Sequence, residues 1–197
     1  MIAILRPNAD TGFMQWIPIP SRAHYLNINE EIVYPTWPNT SKFNVASVNG
    51  IRDQFLFTQL VGNYKITSIK AWVMGARANP TQGKITVKPI ITGKTFASQD
   101  VVFTPSPVWR NVEWTGLDLT TADINSVKIQ FQAYVPVAMT IPVFCLYIEI
   151  TYEELYVPVP LPKRRKPMSG YNYFIKNYIL RKNIGLEPYK LPTGELF

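Results

Sequence analysis

The sequence predicts an all-β fold, an antiparallel β-sandwich of the jelly-roll or Greek-key type. Roughly eight to ten segments alternate apolar and polar residues with period two, and turn residues separate them about every 8–12 positions. Hydrophobic residues make up 47% of the 197 positions and charged residues only 17%. Many of the apolar residues are aromatic or β-branched, which favours strands.

The clearest strand pattern covers residues 140–152 and is the last one in the chain. It places one fully apolar set of side chains on one face: Phe144, Leu146, Ile148, Ile150 and Tyr152. The opposite face is mixed and carries Val143, Cys145, Tyr147, Glu149 and Thr151. Because successive strand residues point to opposite faces, we expect the apolar set to line the sandwich core.

Other segments predict the remaining elements. Residues 12–20 predict an edge strand, because Pro18 and Pro20 cannot donate to a strand ladder. Residues 21–42 predict a long ordered loop with at most a short strand near 31–34. A cap pattern in residues 119–125 predicts one helical turn. The further predicted strands are 42–47, 53–58, 65–78, 84–92, 95–104, 108–115 and 126–135.

Charge divides the chain into a predicted sandwich domain, residues 1–152, and a predicted arm, residues 153–197. Residues 1–155 hold 12 Lys/Arg and 11 Asp/Glu, a net charge of +1. Residues 156–197 hold 8 Lys/Arg and 2 Asp/Glu, a net charge of +6. The basic character of the protein, with a pI near 9.5, therefore belongs to the arm.

The arm begins with alternating prolines at 157–162, which predict an extended polyproline-like spacer. A basic run follows, suited to an acidic protein surface, to nucleic acid or to a localisation receptor: Lys163, Arg164, Arg165 and Lys166. Residues 169–183 then predict a short amphipathic helix with an apolar stripe for a neighbouring subunit or, as second choice, a membrane surface. The stripe consists of Phe174, Ile175, Tyr178 and Ile179, and the aromatic residue Tyr171 precedes it.

No residue pattern predicts catalysis, a cofactor or a metal site. The single cysteine, Cys145, excludes an intramolecular disulfide and a cysteine zinc cluster. His24 is the only histidine and has no nucleophile motif beside it, so we expect a structural or surface role. No apolar segment is long enough for a membrane span, and the N-terminus carries no signal-peptide pattern.

Acidic and amide side chains offer two further interpretations. The pairs Glu30–Glu31 and Glu153–Glu154 predict solvated surface charge, because adjacent strand residues point to opposite faces and form no acid–base pair. A second set could gather oxygen ligands for Ca²⁺, although Asx turns and caps account for it equally well: Asn8, Asp10, Asn27, Asn29 and Glu30.

Aromatic residues predict a binding surface. Trp37 lies in the predicted loop, and Trp72 lies on the strand face opposite Ile69, Ala71 and Val73. Such rings stack on sugars, and they also pack between protein subunits. We prefer subunit packing and keep glycan binding by Trp37 and Trp72 as the alternative.

Four segments, taken in order, resemble the β-sandwich structural proteins of tailed phages and related viruses. They are residues 5–10 (LRPNAD), 24–30 (HYLNINE), 66–78 (ITSIKAWVMGARA) and 146–152 (LYIEITY). The resemblance covers roughly residues 5–152. It implies a lectin-like or galactose-binding-like sandwich on a virion, with no enzymatic activity.

The function predicted from these features is that of a non-enzymatic virion structural protein. It would be a capsid decoration, head-vertex or tail component, anchored to other virion proteins and to itself through the arm. Nucleic acid is not the expected partner. The alternative prediction, from a different class, is a carbohydrate-binding module for host-surface glycans.

Overall fold

A computed structural model describes residues 1–77, 83–135 and 139–155. The predicted arm from residue 156 onward lies outside these ranges. The described elements are β1 (Ile2–Leu5), β2 (Pro7–Met14), β3 (Ile17–Ile19), α1 (Tyr25–Ile28), β4 (Phe43–Ala46), β5 (Arg52–Phe57), β6 (Tyr64–Gly75), β7 (Lys84–Ile90), β8 (Gln99–Val102), β9 (Val108–Thr120), α2 (Thr121–Asn125), β10 (Lys128–Tyr134) and β11 (Ile141–Glu154).

The strands form two antiparallel sheets, which confirms the predicted β-sandwich. The first sheet has the order β3-β4-β11-β6-β9, and β1 pairs with the later half of β11. The second sheet has the order β2-β5-β10-β7-β8. The eight strands β4 to β11 thereby form two four-stranded sheets with long crossovers, the arrangement of a jelly roll. Strands β1, β2 and β3 extend the sheets at their edges.

The core lies between the two sheets and is built by alternation along each strand. In β11, Leu146, Ile148 and Ile150 are fully buried in this core. Ile129 and Phe131 of β10 approach from the other sheet. The predicted inward face of the last strand is therefore correct over this stretch.

The strand β11 contains a β-bulge that the period-two prediction missed. Val143 pairs with Gly75 and Cys145 with Met74, so Phe144 is an extra residue in β11. As a result Val143 points into the main core, and Phe144 packs in a separate cluster on the outer face. The expected position of Phe144 beside Leu146 is wrong, because a bulge shifts the alternation by one residue.

The N-terminal region differs from the prediction in two ways. Residues 12–20 do not form one strand: β2 belongs to the second sheet, and β3 is an edge strand of the first. The buried carboxylate of Asp53 fixes this crossing, because its Oδ1 accepts the backbone N–H groups of Gln15 at 2.9 Å and Trp16 at 3.0 Å. Residues 21–42 contain the short helix α1, and no strand is present near 31–34.

The predicted cap at residues 119–125 is present. Thr120 is the N-cap of α2 and forms a reciprocal capping box with Asp123. Within the described ranges, neither helix has the length and apolar character needed to cross a membrane.

Candidate aromatic binding surface

The segment 29–42, which links α1 to β4, lies over part of the outer face of the first sheet. Beneath it is a second apolar cluster, separate from the main core, formed by Met74, Ala76, Trp109, Phe144, Cys145 and Tyr147. Ile32 and Val33 of the segment pack against this cluster. The segment is therefore held to the sheet by apolar contacts of its own.

Four aromatic side chains pack together at this contact, Tyr34, Trp72, Trp109 and Tyr147. Trp37 lies in the same segment, three residues after Tyr34, and we call these five residues the aromatic surface. The rings of Tyr34 and Trp72 stack with centroids 5.0 Å apart and an angle of 13° between their planes. Trp72 stacks in turn on Tyr147 at 6.1 Å, and Trp109 meets Tyr147 edge-on at 5.7 Å. Stacked and edge-on geometries are the favourable arrangements for aromatic pairs.

Hydrogen bonds between sheet side chains and the backbone of the segment fix its position. The Tyr34 N–H donates to the Tyr147 hydroxyl at 3.1 Å, and Trp109 Nε1 donates to the Thr36 carbonyl at 2.9 Å. A turn within the segment is closed by the bond from the Thr36 N–H to the Val33 carbonyl, at 2.9 Å. The positions of Tyr34 and its neighbours are thus set by the sheet.

Glu30 and Arg6 hold the beginning of the same segment. The Glu30 carboxylate accepts the Asn39 N–H at 2.9 Å, and the Glu30 carbonyl accepts Arg6 Nη1 at 2.6 Å. The Arg6 guanidinium also lies 5.5 Å from the centre of the Tyr147 ring, a cation–π contact. Glu30 thus ties the segment to the sheet.

Two members of the aromatic surface are displayed to solvent. Trp37 is 63% exposed and Tyr34 is 54% exposed. Trp72 is half-buried, and its Nε1 is buried with no hydrogen-bond partner among the described residues. Trp72 therefore supports the ring of Tyr34, while Tyr34 and Trp37 offer free aromatic surface.

Polar side chains on the open part of the sheet lie beside these rings. Asn111 is exposed and occupies the position paired with Trp72 on the neighbouring strand. One row further along, Lys70 pairs with Glu113 at 3.1 Å. Side chains at paired positions are neighbours, with Cβ atoms about 5 Å apart. Amide, ammonium and carboxylate groups therefore border the aromatic surface.

The only histidine of the chain belongs to a separate structural network. His24 Nδ1 lies 2.8 Å from Asp53 Oδ2, and the Asp53 side chain is fully buried. Burial acts to lower the pKa of His24, but the hydrogen bond and charge of Asp53, with the charge of Asp10, raise it above its ordinary value. Burial has the opposite effect on a carboxyl group and raises the pKa of Asp53. The pair anchors α1 to the second sheet, which is a structural role, one of the two that the sequence predicted for His24.

The oxygen donors weighed as Ca²⁺ ligands serve as caps and bridges within the protein. The Asp10 carboxylate accepts the N–H groups of His24 and Tyr25, both at 2.8 Å. Asn27 is fully buried and donates to the Pro20 carbonyl at 3.1 Å. Among the described residues, no group of three or more His, Cys, Asp or Glu side chains is placed to hold a metal ion. These contacts match the cap and turn interpretation.

The structure describes only some of the predicted site residues. Trp37 and Trp72 both belong to the aromatic surface, and whether they bind a glycan stays a prediction. The nine predicted subunit-binding residues of the arm lie outside the described residues: Lys163, Arg164, Arg165, Lys166, Tyr171, Phe174, Ile175, Tyr178 and Ile179. No sequence pattern assigns a role to Tyr147, because only the fold brings it under the segment 29–42.

Comparison with known proteins gave no match to a family model and none to a curated protein. Similar solved structures include the CBM36-1 domain of a multidomain xylanase from the hindgut metagenome of Trinervitermes trinervoides. It has 9% identity over 79% of this chain and 100% of its own, with a TM-score of 0.41.

Two further similar structures have TM-scores of 0.33. The Agl-KA catalytic domain has 12% identity over 76% of this chain and 30% of its own. A CBM4 structure has 13% identity over 55% of this chain and 75% of its own. All three TM-scores are below 0.5, so these likenesses carry no conclusion about what this chain binds.

Proposed function

We propose that this chain is a non-catalytic carbohydrate-binding module, and that Tyr34 and Trp37 of the aromatic surface stack on sugar rings. The observation that carries the proposal is the pairing of high exposure with rigid support. Trp37 is 63% exposed, although tryptophan side chains are highly buried on average. The same segment is fastened to the sheet by a hydrogen bond that the Tyr147 hydroxyl accepts and by one that Trp109 Nε1 donates.

The chemistry of the surface suits a sugar. An aromatic face covers the apolar C–H face of a sugar ring, and neighbouring polar groups bond its hydroxyls. Asn111 and the Lys70–Glu113 pair supply donors and acceptors at the border of the aromatic surface. Because the segment is already ordered, a ligand would lose little affinity to loop ordering.

We propose a non-catalytic role because His24 and Cys145, whose side chains are the most reactive in the domain, both have structural roles. His24 is committed to Asp53 at 2.8 Å, and Cys145 is fully buried. Burial raises the pKa of the Cys145 thiol to about 12, which removes the thiolate needed for nucleophilic attack.

A glycan array followed by titration calorimetry with the best soluble oligosaccharide tests this function. Trp37→Ala and Tyr34→Ala should each weaken binding by about tenfold or more, as aromatic hot-spot residues do. Phe13→Ala is the matched control. Phe13 is also an exposed aromatic residue, at 51%, but it lies on β2 of the second sheet. Unchanged binding in Trp37→Ala and Tyr34→Ala, or no glycan bound at all, would refute the proposal.

A second candidate is the virion structural role that the sequence resemblance implies. It is favoured by β1, an edge strand that carries exposed apolar side chains: Ile2 is 66% and Ile4 44% exposed. Such an edge is suited to pairing with another subunit. Light scattering of the full chain should then show an oligomer that Ile4→Lys dissociates. Deletion of residues 156–197 should abolish incorporation into particles, and normal occupancy would rule out the arm as the anchor.

A further inference from the structure

The outer face of the second sheet has a composition unlike that of the rest of the domain. Alternation directs Ile85, Val87, Ile129, Phe131 and Phe55 into the core. The intervening residues of β5, β7 and β10 therefore point away from the core. We call this surface the basic face, and it comprises Arg52, Gln54, Leu56, Lys84, Thr86, Lys88, Ile90, Lys128, Gln130, Gln132 and Tyr134.

Positive charge on the basic face is largely uncompensated. Of its four cations, Lys84 is paired with Asp100 of β8, at 2.5 Å. No described carboxylate lies within ion-pair distance of Arg52, Lys88 or Lys128. By contrast, Lys70 on the outer face of the first sheet is matched by Glu113. Residues 1–155 carry a net charge of only +1, whereas the four cations of the basic face and the neighbouring Asp100 together carry a net charge of +3.

Amide and hydroxyl groups occupy the centre of the basic face. Gln54 Nε2 donates to Gln130 Oε1 at 2.9 Å, and the Thr11 hydroxyl donates to Gln54 Oε1 at 3.3 Å. Gln132 and Thr86 extend this row, since they occupy paired positions on β10 and β7. Gln54 is buried and already bonded at both amide atoms, so Gln130 and Gln132 are the amides that can bond ligand hydroxyls between the cations.

The cations of the basic face lie at intervals along its strands. Lys88 is paired with Gln130, and Lys128 lies two residues away on the same strand. With about 4.8 Å between strands and about 3.4 Å per residue, the Cα atoms of Lys88 and Lys128 are about 8 Å apart. Lys84 and Lys88, four residues apart on β7, are about 14 Å apart. A long ligand with regularly repeated negative charges would meet several of these cations at once.

We propose that the basic face binds an anionic polysaccharide, whose carboxylate or sulfate groups pair with Arg52, Lys88 and Lys128. Its hydroxyls bond the central amides. Single-stranded nucleic acid fits less well, because proteins bind it by stacking bases on aromatic rings. Tyr134 is the one aromatic residue on this face among those described, and Lys84 Nζ already lies 5.4 Å from its ring centre.

Affinity electrophoresis of the full chain through gels containing polygalacturonate tests this inference. All variants carry Lys163, Arg164, Arg165 and Lys166 replaced by glutamine, so that the basic arm contributes little. In this background the double variant Lys88→Gln/Lys128→Gln should lose about tenfold or more in affinity at low salt. The double variant Lys65→Gln/Lys70→Gln, with the same charge change on the first sheet, should retain binding. Neutral dextran should not retard any variant.

Equal losses in the two double variants would show that net charge alone acts, and would overturn the inference. Tighter binding of poly(dT) than of polygalacturonate would overturn it in favour of nucleic acid. Absence of polygalacturonate binding would also refute it. The aromatic surface is on the other sheet, so Trp37→Ala should leave polygalacturonate binding unchanged. The two proposals can therefore fail independently.

Discussion

The Tyr147 hydroxyl accepts a hydrogen bond from the backbone N–H of Tyr34 at 3.1 Å, across 113 positions of sequence. Tyr147 is 1% exposed and belongs to the last strand, whereas Tyr34 is 54% exposed in the segment 29–42. Burial raises the pKa of Tyr147, so its hydroxyl stays protonated at neutral pH. The exposed ring of the aromatic surface is therefore positioned by a buried phenol on β11.

Tyr147→Phe removes that acceptor and keeps the ring. The partly buried Tyr34 N–H then loses its partner, and we expect the free energy of unfolding in urea to fall by about 1 kcal/mol. Amide hydrogen exchange at Tyr34 should become faster. Tyr134→Phe, which removes an exposed hydroxyl on the other sheet, should change neither quantity. Unaltered exchange at Tyr34 would show that the hydrogen bond does not hold the segment.

Gly75 and Gly83 each lie close to a buried side chain, which is a rigid ring in the first case and a flexible methionine in the second. A Cβ at Gly75 would lie 2.6 Å from Cζ of Phe103, a ring buried in the core, whereas at Gly83 it would lie 2.5 Å from Sδ of Met139. We expect Gly75→Ala to lower the free energy of unfolding by about 1–3 kcal/mol, because the ring must move. Gly83→Ala should cost less, since methionine adapts. Equal losses in urea unfolding would contradict this explanation.

Much of the fold followed from local pattern, because strands such as β7 and β10 alternate strictly between buried and outward residues. The features that were missed depend on distant residues. The crossing from β2 to β3 is fixed by Asp53, whose carboxylate accepts the N–H groups of Gln15 and Trp16. No local pattern reports such a contact. The bulge at Phe144 was missed because period-two reasoning assumes an unbroken register.

The candidate site was predicted only in part for the same reason. Trp37 and Trp72 stood out by residue type, and both lie in the aromatic surface. Their unequal exposure could not be predicted, because it depends on where the segment 29–42 lies. That position is set by Trp109 and Tyr147, which are 73 and 113 residues away from their hydrogen-bond partners.

The capping box of α2 was predicted from sequence and has a measurable energy. Thr120 Oγ1 accepts the Asp123 N–H at 3.2 Å, and the Asp123 carboxylate accepts the Thr120 N–H at 2.8 Å. Thr120→Ala and Asp123→Ala should each lower the free energy of unfolding by about 1 kcal/mol. Because the two side chains form one unit, the double variant should lose less than the sum of both. Full additivity in thermal or urea unfolding would argue against a cooperative cap.

Cys145 should be unreactive in the folded protein. Its side chain is fully buried, and burial raises the pKa of the thiol to about 12. At about pH 8 the thiolate that attacks iodoacetamide is therefore almost absent and out of reach. We expect no alkylation by mass spectrometry in the native state and complete alkylation in concentrated urea. Rapid native labelling would show that β11 opens locally.

The contact between His24 and Asp53 predicts a pH dependence of stability. The hydrogen bond and negative charge of Asp53 outweigh the opposing effect of burial and raise the pKa of His24 above 6.5 in the folded state. A raised folded-state pKa means that the protonated histidine stabilises the fold. This stabilisation is complete below pH 6.5 and is lost as the pH rises through the folded-state pKa. Urea unfolding from about pH 5.5 to 8.5 should show stability falling with pH.

His24→Gln is the decisive variant, because glutamine can still donate to Asp53 but does not titrate. We expect its stability to fall less with pH than that of the unaltered protein above pH 6.5. The other titratable groups are common to both proteins, so the difference between them isolates His24. The raised pKa of Asp53 acts in the same direction but begins to act from pH 3.8 upward. Identical slopes above pH 6.5 would show that His24 is not stabilised as a cation.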